Sequence, residues 1–222
     1  MTELHEYPVS SYKKVWDEQK ELLDQIVNGK KQGVEQPHHL ILCEHNPVYT
    51  MGKSADSNNL LASEELLKTR GAEVFNIERG GDITFHGPGQ WVAYPIFDLE
   101  KLEIGLRIYI EKLEEVLIAT LSDFGIEGRR IEGLTGVWVD SVLGDERKIA
   151  AIGVMSRRFV TMHGFALNVN TDLSYFDLMV PCGIQDKGVT SISQELNKEM
   201  SMDEVKKSIK KHFKNIFHLN FA

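Results

Sequence analysis

Arg79-Gly80-Gly81-Asp82-Ile83-Thr84-Phe85-His86-Gly87-Pro88-Gly89-Gln90 lies between two segments, 73–77 and 91–98, that read as β-strands. Four glycines and a proline share the stretch with an Arg, an Asp, a Thr, a His and a Gln. Glycine lets a backbone approach a ligand closely and take positive φ. Successive backbone N–H groups in such a loop can cradle an anion or a carbonyl oxygen. A plain connector has no need of so many polar donors. The alternative is a Gly-rich hairpin loop whose polar residues face water.

Working outward, the chain reads as strands and helices in one unbroken series. Residues 3–9 form a short strand. Ser10 or Ser11 caps a helix to about Val27, with Asn28-Gly29 as its stop. A buried strand, 39–44, is followed by a loop, 45–59. Ser63 caps a helix that ends before Gly71. Beyond the glycine stretch, Leu106, Tyr109, Ile110, Leu113, Val116, Leu117, Thr120 and Leu121 make the buried stripe of a helix over 107–124. Strand-like segments follow at 127–131, 135–140, 147–155 and 158–168, with a tight hairpin around Ser156-Arg157. Leu173–Phe176 reads as one helical turn, and 191–196 as a short helix. Ser201-Met202-Asp203-Glu204 is a capping box that opens a last helix. No repeat, low-complexity segment or Pro/Ser-rich linker divides the chain. The expectation is one α+β domain over residues 1–222, a mostly antiparallel or mixed sheet flanked by helices.

Composition narrows the function. The chain has 222 residues, enough for a substantial core. Its net charge of −8 disfavours nucleic acid as a partner. It has no apolar run of about 18 residues, so no membrane span is expected. The first residues, Met1-Thr2-Glu3-Leu4-His5-Glu6, look unlike a secretory signal, which makes the cytoplasm the default. The two cysteines, Cys43 and Cys182, are then free thiols.

Cys182 stands between Pro181 and Gly183, a pair that a strand or helix interior would not tolerate. It reads as a candidate nucleophile, the alternative being a buried turn cysteine. A nucleophilic thiol needs a cation or base that favours the thiolate. Lys148 is a candidate partner, since the small, apolar run Ile149-Ala150-Ala151-Ile152-Gly153 would desolvate it and lower its pKa. Otherwise it is a strand-end lysine snorkelling to water. Spacing alone does not bring Lys148 to Cys182. His38, His39, Cys43 and His45 suggest a metal, but alternate strand residues lie roughly 6.7 Å apart. That is too far to share an ion with bonds of about 2 Å, so no metal site is expected. His163 reads as a core histidine, and the lysines of the last helix as a solvated face.

Together these pieces resemble the octanoyltransferases of lipoate biosynthesis. Arg79–Gln90 followed by Tyr94 is similar to that family's Arg-Gly-Gly-x-x-Thr-aromatic-His-Gly-x-Gly-Gln signature, with Asp82 a departure from its usual Gln or Lys. Leu42–Thr50, Gly133–Trp138, Lys148–Gly153, His163–Asn168 and Pro181–Ile184 with Gly188–Ser191 are also family-like, over roughly residues 38–196. The resemblance implies a fold like the catalytic domains of biotin and lipoate protein ligases. It implies transfer of octanoyl from octanoyl-acyl carrier protein to a lysine of lipoyl domains, such as those of 2-oxo acid dehydrogenase complexes and the glycine cleavage H protein. Cys182 is then the acyl-thioester site and Lys148 its activator. Substrate would be held by Arg79, Gly80, Gly81, Asp82, Ile83, Thr84, Phe85 and His86, by Ala151, Ile152 and Gly153, and by Gly164, Phe165 and Ala166. No cofactor of its own is implied, because the acyl group arrives on the carrier's phosphopantetheine arm.

Small residues at Ala150, Ala151, Gly153, Gly164 and Ala166 suit an acyl channel, and Arg79, Arg157 and Arg158 would supply a positive rim for an acidic carrier. The rival readings are an ATP-dependent lipoate-protein ligase and a non-catalytic acyl or lipoyl-domain binding protein. Neither has a use for Cys182 in its Pro-Cys-Gly turn.

Overall fold

A computed structural model of the protein describes residues 1–140, 144–180 and 187–221. Its elements run β1 (Thr2–Ser10), α1 (Tyr12–Gln32), β2 (His38–His45), β3 (Val48–Met51), α2 (Glu64–Thr69), β4 (Glu73–Asn76), β5 (Ile83–His86), β6 (Gln90–Ile96) and α3 (Leu106–Asp123). Then come β7 (Arg129–Ile131), β8 (Leu134–Asp140), β9 (Glu146–Arg157), β10 (Val160–Asn168), β11 (Gly188–Val189), α4 (Ile192–Leu196) and α5 (Met202–Phe217). Ser63, Ser191 and Ser201 cap α2, α4 and α5, each hydroxyl accepting the backbone N–H three residues on.

Among the described residues the strands form two sheets. The large one has the order β1-β2-β6-β10-β9-β8-β7, with β11 added against β9. It is mixed: β1–β2 and β9–β11 are parallel, and the other pairs are antiparallel. The parallel pair follows from α1, because two parallel strands need a crossover between them. Both faces of this sheet are covered, so its central strands read as continuous apolar runs. On β2, Ile41 and Cys43 face α1 with Tyr12, Val15, Leu23 and Ile26. Leu40 and Leu42 face the opposite way, onto α3 and α5. There Phe213 stacks on Phe165 of β10, ring centroids 5.7 Å apart. Cys43 is wholly buried in the α1-side core, and burial raises its thiol pKa, so this cysteine is core filling.

The α+β, single-domain reading holds, with three local corrections. The loops 45–59 and 79–90 contain strands β3 and β5, which pair with β4 into a small second sheet, order β4-β3-β5. Their four-residue length and flanking glycines and prolines hide them in the sequence. Helix α1 passes through Asn28-Gly29 and stops at Gly33, φ +68, whose N–H bonds Gly29 and Lys30 carbonyls. Gly29 lies within the helix, and glycine fits there because a Cβ would meet Gln36 Cγ at 2.5 Å. The β9–β10 hairpin turns at Arg158 and Phe159, φ +50 and +62, two residues past Ser156-Arg157.

Candidate active site

The small-residue segments of β9 and β10 meet because of strand register. Gly153 pairs with Gly164, Ile152 with Phe165, and Ala151 with Ala166. On its other edge β10 carries β6, Phe165 opposite Ala93 and Ala166 opposite Val92. A Cβ at Gly164 would lie 2.1 Å from the Ala93 carbonyl oxygen, so glycine is what lets β6 and β10 close up here. These strands form one wall of a cavity of about 460 Å³, within the size range of small-molecule sites.

The glycine stretch forms the facing wall. Gly80 N–H donates to Val154 O at 3.0 Å, tying the stretch to β9. That bond occupies the Gly80 N–H, which is therefore not an oxyanion donor. Arg79, Gly80, Gly81, Ile83, Thr84 and His86 line the cavity together with Lys148, Ala151, Ile152, Gly153, Gly164, Phe165 and Ala166. Two residues of the expected set do not line it. Asp82 Oδ2 accepts from Asn59 Nδ2 at 2.6 Å, and its Oδ1 accepts the Ile83 N–H at 2.7 Å. Phe85 packs with Tyr49 and stacks on Tyr175, centroids 4.4 Å apart. Ala150 also turns away, into the core under α3.

Arg79 is 7% exposed. Its Nε and Nη2 donate to Thr50 Oγ1, Nη2 also donates to Thr50 O, and Nη1 donates to Gly80 O. The three arginines expected at a rim lie in different settings. Arg79 is an interior charge, Arg157 pairs with Asp24 of α1, and Arg158 sits on the exposed hairpin turn. None but Arg79 reaches the cavity.

The polar end of the cavity is a chain of neutral groups. Gln90 Nε2 donates to Phe85 O and to Asn168 Oδ1, so its Oε1 accepts from His86 Nδ1 at 2.8 Å. This puts the His86 proton on Nδ1 and leaves Nε2 an acceptor. Nearby, His45 Nδ1 donates to Ser10 O, so its Nε2 accepts from Tyr94 OH at 2.8 Å. Burial, with neighbouring His45 and Arg79 adding to it, pushes His86 down to about 3. Burial also brings His45 to about 4 and, with Arg79, His163 to about 3. His163 has a left-handed backbone, φ +62, held by Gln19 Oε1 of α1, which accepts its N–H at 3.0 Å. Both its ring nitrogens are buried without a hydrogen-bond partner.

Lys148 is half-buried on β9, across from Trp138 of β8 and Val189 of β11. Its Nζ lies 4.6 Å from the Trp138 ring centroid. Its alkyl chain runs past Gly136, φ +120, where a Cβ would lie 3.6 Å from Lys148 Cε. Cys182 lies outside the described residues, as do Pro181 and Gly183. The nearest cavity-lining residues on either side of that segment are Met179 and Val189.

Some lining residues had no functional signal in the sequence. Tyr12, at the first position of α1, stacks on His86 at 6.1 Å with rings 6° from parallel. Leu106 and Ile110, assigned to the buried stripe of α3, line the cavity instead, and Leu106 is 41% exposed. Gln90, Tyr94 and Asn168 stood in quoted motifs, yet their roles appear only when the strands assemble.

The fold is similar to that of an archaeal bipartite lipoate protein ligase from Thermoplasma acidophilum, with a TM-score of 0.74 and 17% identity, covering 100% of this chain and 85% of that one. A lipoate-protein ligase A bound with ATP gives 0.70 at 16% identity over 100% and 86%. At such identities the likeness is one of fold. Sequence reaches further. An octanoyltransferase of Bacteroides thetaiotaomicron is 49% identical over 94% of this chain and 92% of its own length. One from Christiangramia forsetii is 47% identical over 97% and 95%. The description "Lipoyl protein ligase A/B catalytic domain" matches residues 11–214, and the chain belongs to that family.

Proposed function

We propose that this enzyme moves an octanoyl group from octanoyl-acyl carrier protein to a lysine of lipoyl domains through a thioester on Cys182. The observation that carries the proposal is the placing of Lys148 in one cavity with the Arg79–His86 wall and the paired β9–β10 segments. The names of the relatives at 47–49% identity support octanoyl as the group transferred.

The chemistry balances without ATP. A Cys182 thiolate beside the Lys148 ammonium attacks the carrier thioester carbonyl. The C–S bond to the carrier breaks, and its thiolate takes a proton from Lys148. The exchange of one thioester for another is nearly thermoneutral. A lipoyl-domain lysine amine then attacks the Cys182 thioester. Lys148, now neutral, takes the amine's proton, and the Cys182 thiolate leaves to restore the starting pair. Amide formation makes this second half downhill. Ala151, Ala166, Phe165 and Ile152 would hold the chain, each buried methylene being worth about 0.8 kcal/mol. No cofactor bound by the enzyme itself takes part.

Intact mass after incubation with octanoyl-carrier protein and no ATP tests the proposal. The expected result is a gain of one octanoyl group on Cys182 and none in Cys182→Ser. An absolute need for ATP would move the chain to the ligase reading. Absence of any adduct in the unaltered enzyme would leave a binding protein.

A further inference from the structure

The parallel pairing of β1 with β2 builds a polar cluster of residues that do not line the cavity. Glu3 stands opposite His39, and Leu4 separates Glu3 from His5, so all three side chains share the α1 face of the sheet. His5 Nε2 lies 3.1 Å from His39 Nδ1. Glu3 Oε2 lies 3.4 Å from the same His39 nitrogen. One ligand atom from each of the three lies within 4.8 Å of the other two. The two rings are tilted by 49° with centroids 5.3 Å apart and share one proton between these nitrogens, the proton that a metal ion would displace.

We infer that Glu3, His5 and His39 form a divalent transition-metal site, of which Zn²⁺ is the fitting occupant. Tetrahedral bonds of about 2.0–2.1 Å place neighbouring ligands about 3.3 Å apart. The 3.1 and 3.4 Å separations bracket that value. Imidazole nitrogens select zinc, nickel, copper or iron over magnesium and calcium. Two histidines and one carboxylate leave a position for water or an exogenous ligand.

An outer partner completes the arrangement. Glu18 Oε1, on α1, lies 3.4 Å from His5 Nδ1, the ring nitrogen that does not face His39. Glu18 is itself held by Tyr7, whose hydroxyl donates to Oε1 at 2.8 Å. A carboxylate on the far nitrogen fixes the tautomer and makes the near nitrogen a better ligand. The His5 and Glu3 side chains are 22% and 48% exposed, which leaves a path from solvent. A bound ion would cross-link β1, at the edge of the large sheet, to β2 and through Glu18 to α1.

A single strand cannot bring its own alternate residues onto one ion. Two adjacent strands in register can.

Titration calorimetry of the full chain with ZnCl₂ tests the site, together with thermal unfolding. The expected result is one tight Zn²⁺ per chain and a raised unfolding midpoint. His5→Ala and Glu3→Gln should lose the binding and the shift. Glu18→Gln should weaken binding on the order of 10–100-fold. None of the four residues lines the cavity, so metal-free octanoyl transfer should be unchanged in Glu3→Gln and Glu18→Gln. Equal zinc affinity in His5→Ala and Glu3→Gln would place the ion elsewhere and overturn the inference. So would failure of the unaltered chain to bind zinc.

Discussion

Gly153 and Gly164 stand directly opposite each other across the β9–β10 ladder, and each makes room for a different neighbour. Gly164 admits the β6 backbone, while Gly153 admits the glycine stretch, since a Cβ there would meet Arg79 Cδ at 3.0 Å and Gly80 O at 3.1 Å. The two positions should separate stability from activity. Gly164→Ala forces two paired strands apart and should cost about 3 kcal/mol. Gly153→Ala should cost about 1 kcal/mol, because these approaches ask the neighbours to give only slightly, yet the displaced Arg79 wall should slow octanoyl transfer by at least about tenfold. Denaturant unfolding and transfer rates on both variants check this. A Gly153→Ala enzyme with full activity would mean that the wall does not position substrate.

The two halves of the proposed reaction ask different things of Lys148, and substitution can divide them. Lys148→Ala removes both the cation and the base. It should retain the fold and lower turnover by roughly 10²–10⁴-fold. Lys148→Arg keeps a cation but cannot accept the incoming amine's proton, since a guanidinium does not deprotonate in proteins. The carrier thiolate must then take its proton from water, so the octanoyl adduct should form more slowly and then stall, and acyl-enzyme accumulates in single-turnover mass spectra. Normal turnover in either variant would reduce Lys148 to a lysine lying on Trp138.

Much of this arrangement was legible in the chain and some was not. Lys148, Arg79, Gly80, Gly81, Ile83, Thr84, His86, Ala151–Gly153 and Gly164–Ala166 stand in motifs, and the strands bring them to one cavity. Motifs of this kind mark backbone positions where small residues or fixed charges are needed, which is information local to the sequence. Tyr12, Leu106 and Ile110 carried only helical spacing, and periodicity does not tell a core from a cavity wall. Asp82 and Phe85 share the motif with the lining residues but serve the Asn59 contact and the aromatic cluster of the second sheet. The short strands β3 and β5 were unreadable for a related reason. Four residues give one alternation, and pairing partners far along the chain supply the rest.

Buried neutral histidines should make the protein acid-sensitive. His45, His86 and His163 titrate at about 4, about 3 and about 3 when folded, against about 6.5 in an unfolded chain. A lowered histidine pKa means that the unfolded state binds the extra proton first. The stabilisation is therefore complete above about pH 6.5 and is lost as pH falls from there toward the folded values. At pH 5 each histidine should have cost about 2 kcal/mol. Unfolding free energy measured between pH 7.5 and pH 5 should fall accordingly, and His163→Leu should make that fall shallower. A flat profile would mean that these rings are reached by water.

Thr50 should matter to substrate affinity although it lies outside the family's substrate-binding segments. It is fully buried on β3, and its hydroxyl and carbonyl accept three of the hydrogen bonds that Arg79 donates. Thr50→Val keeps the shape and the carbonyl but removes the hydroxyl acceptor from a charged donor. That should cost about 1.5–3 kcal/mol of stability and leave the guanidinium free to tilt. Because Arg79 forms wall and does not react, the kinetic effect should fall on KM for octanoyl-carrier protein, with kcat changed little. Thr50→Ser retains the acceptor and should restore KM even if some stability is still lost. Steady-state kinetics on the pair decide the matter, and an unchanged KM in Thr50→Val would show that the β3 anchor is not what holds Arg79 in the cavity wall.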